Sequence, residues 1–203
     1  MRKSFVAILA LVGLSIGVCV QAAGDAAVGQ ARAATCLACH GPGGNSLNPM
    51  WPKLSGQHPA YMKTQIDAFK AGVRKDPIMA PMAMTLDDKS IADLGAYFAS
   101  VKRTAGIADP KKAAQGRKIY MQGNPAKGLI ACSTCHGIDG YGNPSAGFPN
   151  IASQQAMYMV KTLKEYRTKT RTTDPGRIMQ DAASRMTDTE IDLVTQFVTG
   201  MKP

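Results

Sequence analysis

The spacing of apolar and polar residues along the chain predicts a mostly helical protein. Apolar side chains recur at helical intervals over Pro59–Ala71 and again over Gln155–Thr168, which is typical of amphipathic helices. Further helices are predicted to start at Asp87 and at Thr187, where the letters TDTE form a capping box with Glu190. The pattern therefore indicates an all-α fold.

The helical pattern occurs twice, because the chain repeats itself at offsets of 96 to 100 residues. A first helix is predicted to end near Thr35 in one copy and to start near Pro110 in the other. A period this long indicates a duplicated domain rather than a solenoid. We predict domains over residues 23–105 and 106–203, joined by TAGIADP at Thr104–Pro110. Matched pairs include Gln57 with Gln154, Tyr61 with Tyr158, Phe69 with Tyr166 and Arg74 with Arg171.

The beginning of the chain is typical of an export signal. Arg2 and Lys3 precede an apolar run of about 16 residues, short for a membrane-spanning helix, and small residues follow it. We predict a signal peptide over residues 1–22, cleaved near Ala22/Ala23. An uncleaved membrane anchor is the alternative.

The charge of the chain bears on its partners. The formal net charge is +10 and falls to +8 when the two basic residues of the signal peptide are removed. Such an excess favours acidic proteins or anionic membrane surfaces, whereas nucleic acid is a poor candidate for an exported protein. Each predicted domain has only about 80–95 residues, and domains of that size often need a metal or cofactor to complete a thin core.

Two Cys-x-x-Cys-His motifs occupy matching positions in the two copies. The first comprises Cys36, Cys39 and His40, and the second comprises Cys132, Cys135 and His136. This is the attachment signature of c-type haem, in which two cysteines on one helical turn form thioethers and the histidine lies beneath the iron. A disulfide needs no adjacent histidine, and zinc sites place their cysteine pairs about 15–20 residues apart. We therefore predict two covalently bound haem c groups.

The sixth iron ligand decides between electron transfer and chemistry at an open iron. The remaining histidine, His58, faces Gln155 in the repeat and is predicted to be a solvated loop residue. Met79 and Met179 each lie seven residues before the matched position at the start of the last helix. The predicted axial pairs are His40 with Met79 and His136 with Met179.

Two other methionines compete with Met79 in the letters MAPMAM, namely Met82 and Met84. Pro81 is expected to hold Ala80 in an extended conformation and so to resist sliding of this segment by three residues. Met62 and Met159 also match in the repeat, but they lie within the amphipathic helices, where core packing is the expectation.

The second nitrogen of each haem histidine should have a hydrogen-bond acceptor that orients the ring. The carbonyls of Pro52 and Pro149 lie 12 and 13 residues after the histidines and are candidates. Any other nearby carbonyl would serve equally well.

The whole mature sequence resembles the cytochrome c4 family of dihaem cytochromes. The resemblance rests on AGDAAVGQ, CLACHGPGGNS, WPKLSGQ, IMAPM and LGAYFAS in the first copy, and on CSTCHGIDGYGN, GFPNIASQ and IMQ in the second. It implies two class I cytochrome c domains related by a pseudo-twofold axis, with the haem propionate edges facing across the interface. It also implies the same four thioether cysteines and the same two histidine–methionine pairs as the repeat. The chain departs from the family in its methionine-rich MAPMAM and, relative to acidic members, in its basic charge.

The resemblance further implies a periplasmic electron carrier, loosely associated with the inner membrane, that takes electrons from an upstream donor and delivers them to a terminal oxidase. No residue is expected to perform acid–base or nucleophilic catalysis. A fixed electron-transfer subunit of a dehydrogenase complex is an alternative, and a dihaem peroxidase is a weaker one. The segment Lys161–Arg171 holds five basic residues and one acidic residue, and it is either a solvated helix face or a docking patch for an acidic partner.

Overall fold

The computed structural model describes residues 24–203. This range contains ten α-helices and no β-strand beyond two isolated bridges, which confirms the predicted all-α fold. No helix within the range is long and apolar enough to cross a membrane. The predicted signal peptide and its cleavage site near Ala22/Ala23 lie outside the described residues.

Five helices form each half of the described chain. The N-terminal half consists of α1 (Ala26–Arg32), α2 (Ala34–His40), α3 (Pro59–Lys70), α4 (Met79–Met84) and α5 (Asp88–Ser100). The C-terminal half consists of α6 (Pro110–Gln122), α7 (Ser133–His136), α8 (Ala156–Arg167), α9 (Ile178–Ser184) and α10 (Asp188–Thr199). Residues 101–109 connect the halves without helix or strand.

The two residues predicted to start helices, Asp87 and Thr187, are the N-cap residues of α5 and α10. Thr187 caps α10 through the full capping box with Glu190, and the Asp87 carboxylate accepts a hydrogen bond from the Ser90 N–H at the start of α5. Asp109 caps α6 in the same way. Each side chain satisfies backbone N–H groups that have no partner within the helix.

The first and last helices of each half cross at close range: α1 packs on α5 and α6 packs on α10. A Cβ atom at Gly29 would collide with the carbonyl of Asp93, and one at Gly116 would collide with the carbonyl of Leu193. Only glycine therefore allows the two helix axes to approach this closely.

Two local predictions are wrong. The first helix does not end near Thr35; it breaks at Ala33, and α2 then runs through the cysteine motif to His40. Ala80 is not extended, because it lies inside α4. Pro81 is the third residue of that helix, where its missing N–H removes no intrahelical hydrogen bond.

The two halves meet on a contact surface that we call the seam, which is built around a pair of reciprocal glutamine contacts. Gln57 accepts from the N–H of Asn150 at 3.0 Å and donates to its carbonyl at 2.9 Å. Gln154 accepts from the N–H of Lys53 at 2.8 Å and donates to its carbonyl at 2.9 Å. The glutamines match in the repeat, and so do the residues they bind, so the seam follows the predicted pseudo-twofold relation.

Candidate haem sites

Both Cys-x-x-Cys-His motifs lie at the C-terminal end of a short helix. α2 ends at His40 and α7 ends at His136, and each is followed by a glycine with positive φ, at 75° for Gly41 and 76° for Gly137. A residue with a Cβ adopts that conformation only with strain, so glycine turns the chain sharply away from the histidine. None of the four motif cysteines forms a disulfide, and all four are half-buried.

The two histidines are oriented as the sequence predicts. The Nδ1 atom of His40 lies 2.8 Å from the Pro52 carbonyl, and that of His136 lies 3.1 Å from the Pro149 carbonyl. Because a carbonyl only accepts, each Nδ1 carries the hydrogen and donates it, which leaves Nε2 with a lone pair for a metal. Burial lowers the pKa of both imidazoles, against the opposing effect of the carbonyls, so both stay neutral.

The cysteines do not resemble nucleophiles or a zinc site. Burial raises the pKa of the Cys36 thiol and raises that of Cys132 to about 11, which suppresses the reactive thiolate. Among residues 24–203 no three His, Cys, Asp or Glu side chains converge as a metal site would require. The two motifs therefore act separately, one in each half.

A deep, mostly apolar cavity opens at the second motif. Its wall contains Cys132, Cys135 and His136, and Met179 of α9 lies in the same wall. Core side chains form much of the remaining lining, among them Tyr120, Leu129, Ile151, Met159, Leu163, Tyr166, Met186, Val194 and Val198. The N-terminal half also contributes to this wall, through Ala60, Tyr61 and Thr64 of α3.

The methionines of the first half occupy different environments. Met79 begins α4 and packs against the cluster that contains Ile66 and Phe69. Met84 is 65% exposed to solvent, which disfavours it as a ligand beneath a buried ring. Met62 and Met159 are buried in the two cores, as their place in the amphipathic helices predicts.

His58 is not a solvated loop residue. Its side chain is only 4% exposed, and its Nε2 atom lies 2.8 Å from the carbonyl of Tyr141 in the other half. Gln155, its counterpart in the repeat, donates to the carbonyl of Ser46 at 2.6 Å. Each of the two side chains therefore binds a backbone carbonyl of the other half across the seam. The sequence pattern around His58 contained no sign of this tertiary contact.

The seam also contains two arginines that sequence reasoning matched but did not explain. Arg74 lies over the ring of Phe69 and donates to the hydroxyl of Tyr158 at 3.1 Å. Arg171 lies over the ring of Tyr166 and donates to the hydroxyl of Tyr61 at 2.9 Å. Each arginine thus stacks on an aromatic ring of its own half and binds a tyrosine of the other half. The sequence signal for these contacts was that each arginine, aromatic residue and tyrosine has a counterpart at the matching position of the other copy.

The seam is rich in cations that lack acidic partners. Among residues 24–203, no carboxylate pairs with Lys53, Arg74, Arg103 or Arg171. The amide nitrogen Nε2 of Gln65, beside both Arg74 and Arg171, is buried without a hydrogen-bond partner in the same range. Apolar cavity walls, a neutral histidine and unpaired cations fit a large apolar ring that carries carboxylates. The residues present therefore fit haem.

The basic segment Lys161–Arg171 is not one exposed patch. Arg171 is 1% exposed and belongs to the seam. Lys164 and Arg167 both pair with Asp188, at 2.8 and 2.6 Å. Lys161 pairs with Asp76 of the other half at 3.2 Å. These contacts reduce the charge that the segment offers to a partner.

Comparison with known proteins agrees with the geometry. The family model described as cytochrome c matches the chain twice, over residues 26–102 and 113–202. The chain is 47% identical over 180 residues to cytochrome c4 of Thiocapsa roseopersicina, covering 88% of this chain and 93% of that protein. The crystal structure of reduced recombinant cytochrome c4 from Pseudomonas stutzeri superposes with a TM-score of 0.86 at 38% identity, covering 89% of this chain and all of that one.

A relative with a different name is similar over most of the same length. The chain is 33% identical over 172 residues to a thiosulfate dehydrogenase electron acceptor of Thiomonas intermedia, covering 82% of this chain and 78% of the relative. Sequence similarity over most of the chain therefore extends to a relative named for the enzyme whose electrons it accepts.

Proposed function

Because the chain belongs to the cytochrome c4 family, whose tandem cytochrome c domains bind covalent haem c and transfer electrons without catalysing a reaction, we propose that it shuttles single electrons in the periplasm. The observation that carries this proposal is the matched geometry of the two motifs. In each half a neutral histidine is held through Nδ1 by a proline carbonyl, and in the second half it faces a cavity with Met179 in its wall.

We assign the residues as follows. Cys36 and Cys39 would hold one haem by thioethers and Cys132 and Cys135 would hold the other, and the irons would be ligated by His40 with Met79 and by His136 with Met179. When bound, the haem supplies the one-electron couple. The protein's own part is to fix the ligands, exclude water and set the potential through burial and hydrogen bonds. Domains are assigned to 23–105 and 106–203, after a signal peptide over 1–22.

We propose a membrane terminal oxidase as the acceptor and a separate redox protein as the upstream donor. The formal charge of +8 after loss of the signal peptide suits acidic docking surfaces and loose association with an anionic membrane surface. The second candidate function is electron acceptor of a dehydrogenase complex. The named thiosulfate dehydrogenase electron acceptor, 33% identical to the chain, favours this alternative specifically.

The test begins with the mature chain expressed together with haem-maturation machinery. Two haems should stay attached through acid–organic extraction, and a mass corresponding to fewer would contradict the assignment. The reduced protein should then be reoxidised by membranes containing a terminal oxidase, with oxygen consumed. If a purified thiosulfate dehydrogenase reduces the protein rapidly while such membranes do not reoxidise it, the dehydrogenase alternative is correct.

A further inference from the structure

Tyr61 belongs to the N-terminal half but lies in the wall of the cavity of the C-terminal half. It shares that wall with Cys132, His136 and Met179. Its hydroxyl oxygen accepts a hydrogen bond from Arg171, so its own hydroxyl hydrogen is free to donate. Among residues 24–203 this hydroxyl donates no hydrogen bond to a protein acceptor. A free hydroxyl hydrogen in the wall of a cavity can be donated in a hydrogen bond to a group that is bound in the cavity.

The repeat extends the arginine–tyrosine contact to the other half. Tyr158 matches Tyr61, and its hydroxyl accepts from Arg74 as that of Tyr61 accepts from Arg171. The backbone N–H of Tyr158 donates to the carbonyl of Pro49 at 3.1 Å, which ties this residue to the loop that follows the first motif. The two tyrosines therefore cross the seam in opposite directions.

We propose that each haem potential is set in part by a tyrosine of the opposite half, Tyr61 for the C-terminal haem and Tyr158 for the N-terminal haem. The inference rests on the proposed function, because it requires a haem in each half. A hydroxyl hydrogen directed at a haem edge offsets negative charge there and favours the ferrous form. Removing the hydroxyl should therefore lower the potential of the opposite haem.

The experiment is a spectroelectrochemical titration of full-length holoprotein variants. Tyr61→Phe should lower the equilibrium constant for reduction of the C-terminal haem about three- to tenfold, which corresponds to a midpoint potential lower by about 30–60 mV for one electron. The midpoint potential of the N-terminal haem should not change. Tyr158→Phe should do the reverse. Each titration is repeated in a Cys132→Ala background, where the C-terminal haem keeps one free vinyl group and absorbs at longer wavelength, so that its midpoint can be identified.

Two controls separate this effect from a loosened seam. Gln57→Ala removes a seam contact outside the cavity wall and should not reproduce the selective shift. Tyr141→Phe makes the same chemical change on a side chain that is 53% exposed and should move neither midpoint. The assignment of each tyrosine to the haem of the opposite half is wrong if Tyr61→Phe lowers only the N-terminal midpoint potential. It is also wrong if Tyr61→Phe lowers both midpoint potentials or leaves both unchanged. If the variants and the parent chain carry fewer than two haems, the proposed function itself fails.

Discussion

The two halves of the molecule keep the same frame but differ in the groups around their haem sites. Both hold the histidine with a proline carbonyl, and both place an arginine on an aromatic ring at the seam. Their arginines differ in burial, because Arg171 is 1% exposed whereas Arg74 is only half-buried. The two halves therefore share the geometry of the motif histidine and differ in the electrostatic surroundings. We expect the two haems to titrate separately at mild positive potentials for this reason.

The strongest test of equivalence between the halves is removal of the proposed methionine ligands. Met79→Ala and Met179→Ala should each abolish the iron–sulfur charge-transfer band of one haem. Each should lower that potential by on the order of 0.1–0.3 V, within the roughly 0.8 V that axial ligands cover. Met82→Ala is the matched control and should leave both haems nearly intact. Loss of the band in Met82→Ala alone would show that α4 presents a different sulfur in the first half.

The helix crossings should be equally intolerant of a side chain in both halves. Gly29→Ala and Gly116→Ala each force a Cβ into a backbone carbonyl, and overpacking of this kind costs about 1–3 kcal/mol. Thermal unfolding followed by circular dichroism should show a lower midpoint for each variant. Ala113→Gly, a change on the same helix without a clash, provides a comparison for Gly116→Ala. A midpoint unchanged by either glycine substitution would mean that the helices can separate at no cost.

The glutamine contacts allow a finer comparison, because they are chemically the same on both sides of the seam. Gln57→Ala and Gln154→Ala each remove three side-chain hydrogen bonds, two of them across the seam, and should each cost about 1–3 kcal/mol. Denaturant unfolding measures these losses, with the exposed Gln30→Ala as the control. Markedly unequal losses of unfolding free energy would show that the two contacts, although alike in geometry, differ in their contribution to stability.

The smallest expected effect concerns pH, where the halves differ because His58 titrates and Gln155 does not. Burial lowers the pKa of His58 and nearby Arg103 lowers it further, against the raising effect of the Tyr141 carbonyl. The unfolded chain then binds the proton more readily, so this contribution to stability is present above the ordinary histidine pKa of about 6.5 and is lost as pH falls below it. His58→Gln should flatten the pH dependence of unfolding between about pH 6.5 and 5. An unchanged slope would show that His58 does not contribute.

Local signals in the sequence predicted much of the fold and part of the site geometry. The caps at Asp87 and Thr187 and the two proline carbonyls follow from neighbours in the chain or from spacing within one copy. The buried position of His58 was not predicted, because its partner lies 83 residues away in the other half. Pairing across the seam depends on how two folded units dock, and periodicity within either unit contains no information about docking.

The reciprocal glutamine contacts have a consequence for the origin of the chain. In an isologous dimer, residue i of one subunit contacts residue j of the other, and j contacts i in return. The seam repeats this arrangement within one polypeptide, since Gln57 binds the counterpart of the residue that Gln154 binds. A single ancestral unit with this surface would have been self-complementary. Joining two such units in one chain replaces concentration-dependent association with a tethered pair, whose effective concentration is set by a linker of a few residues.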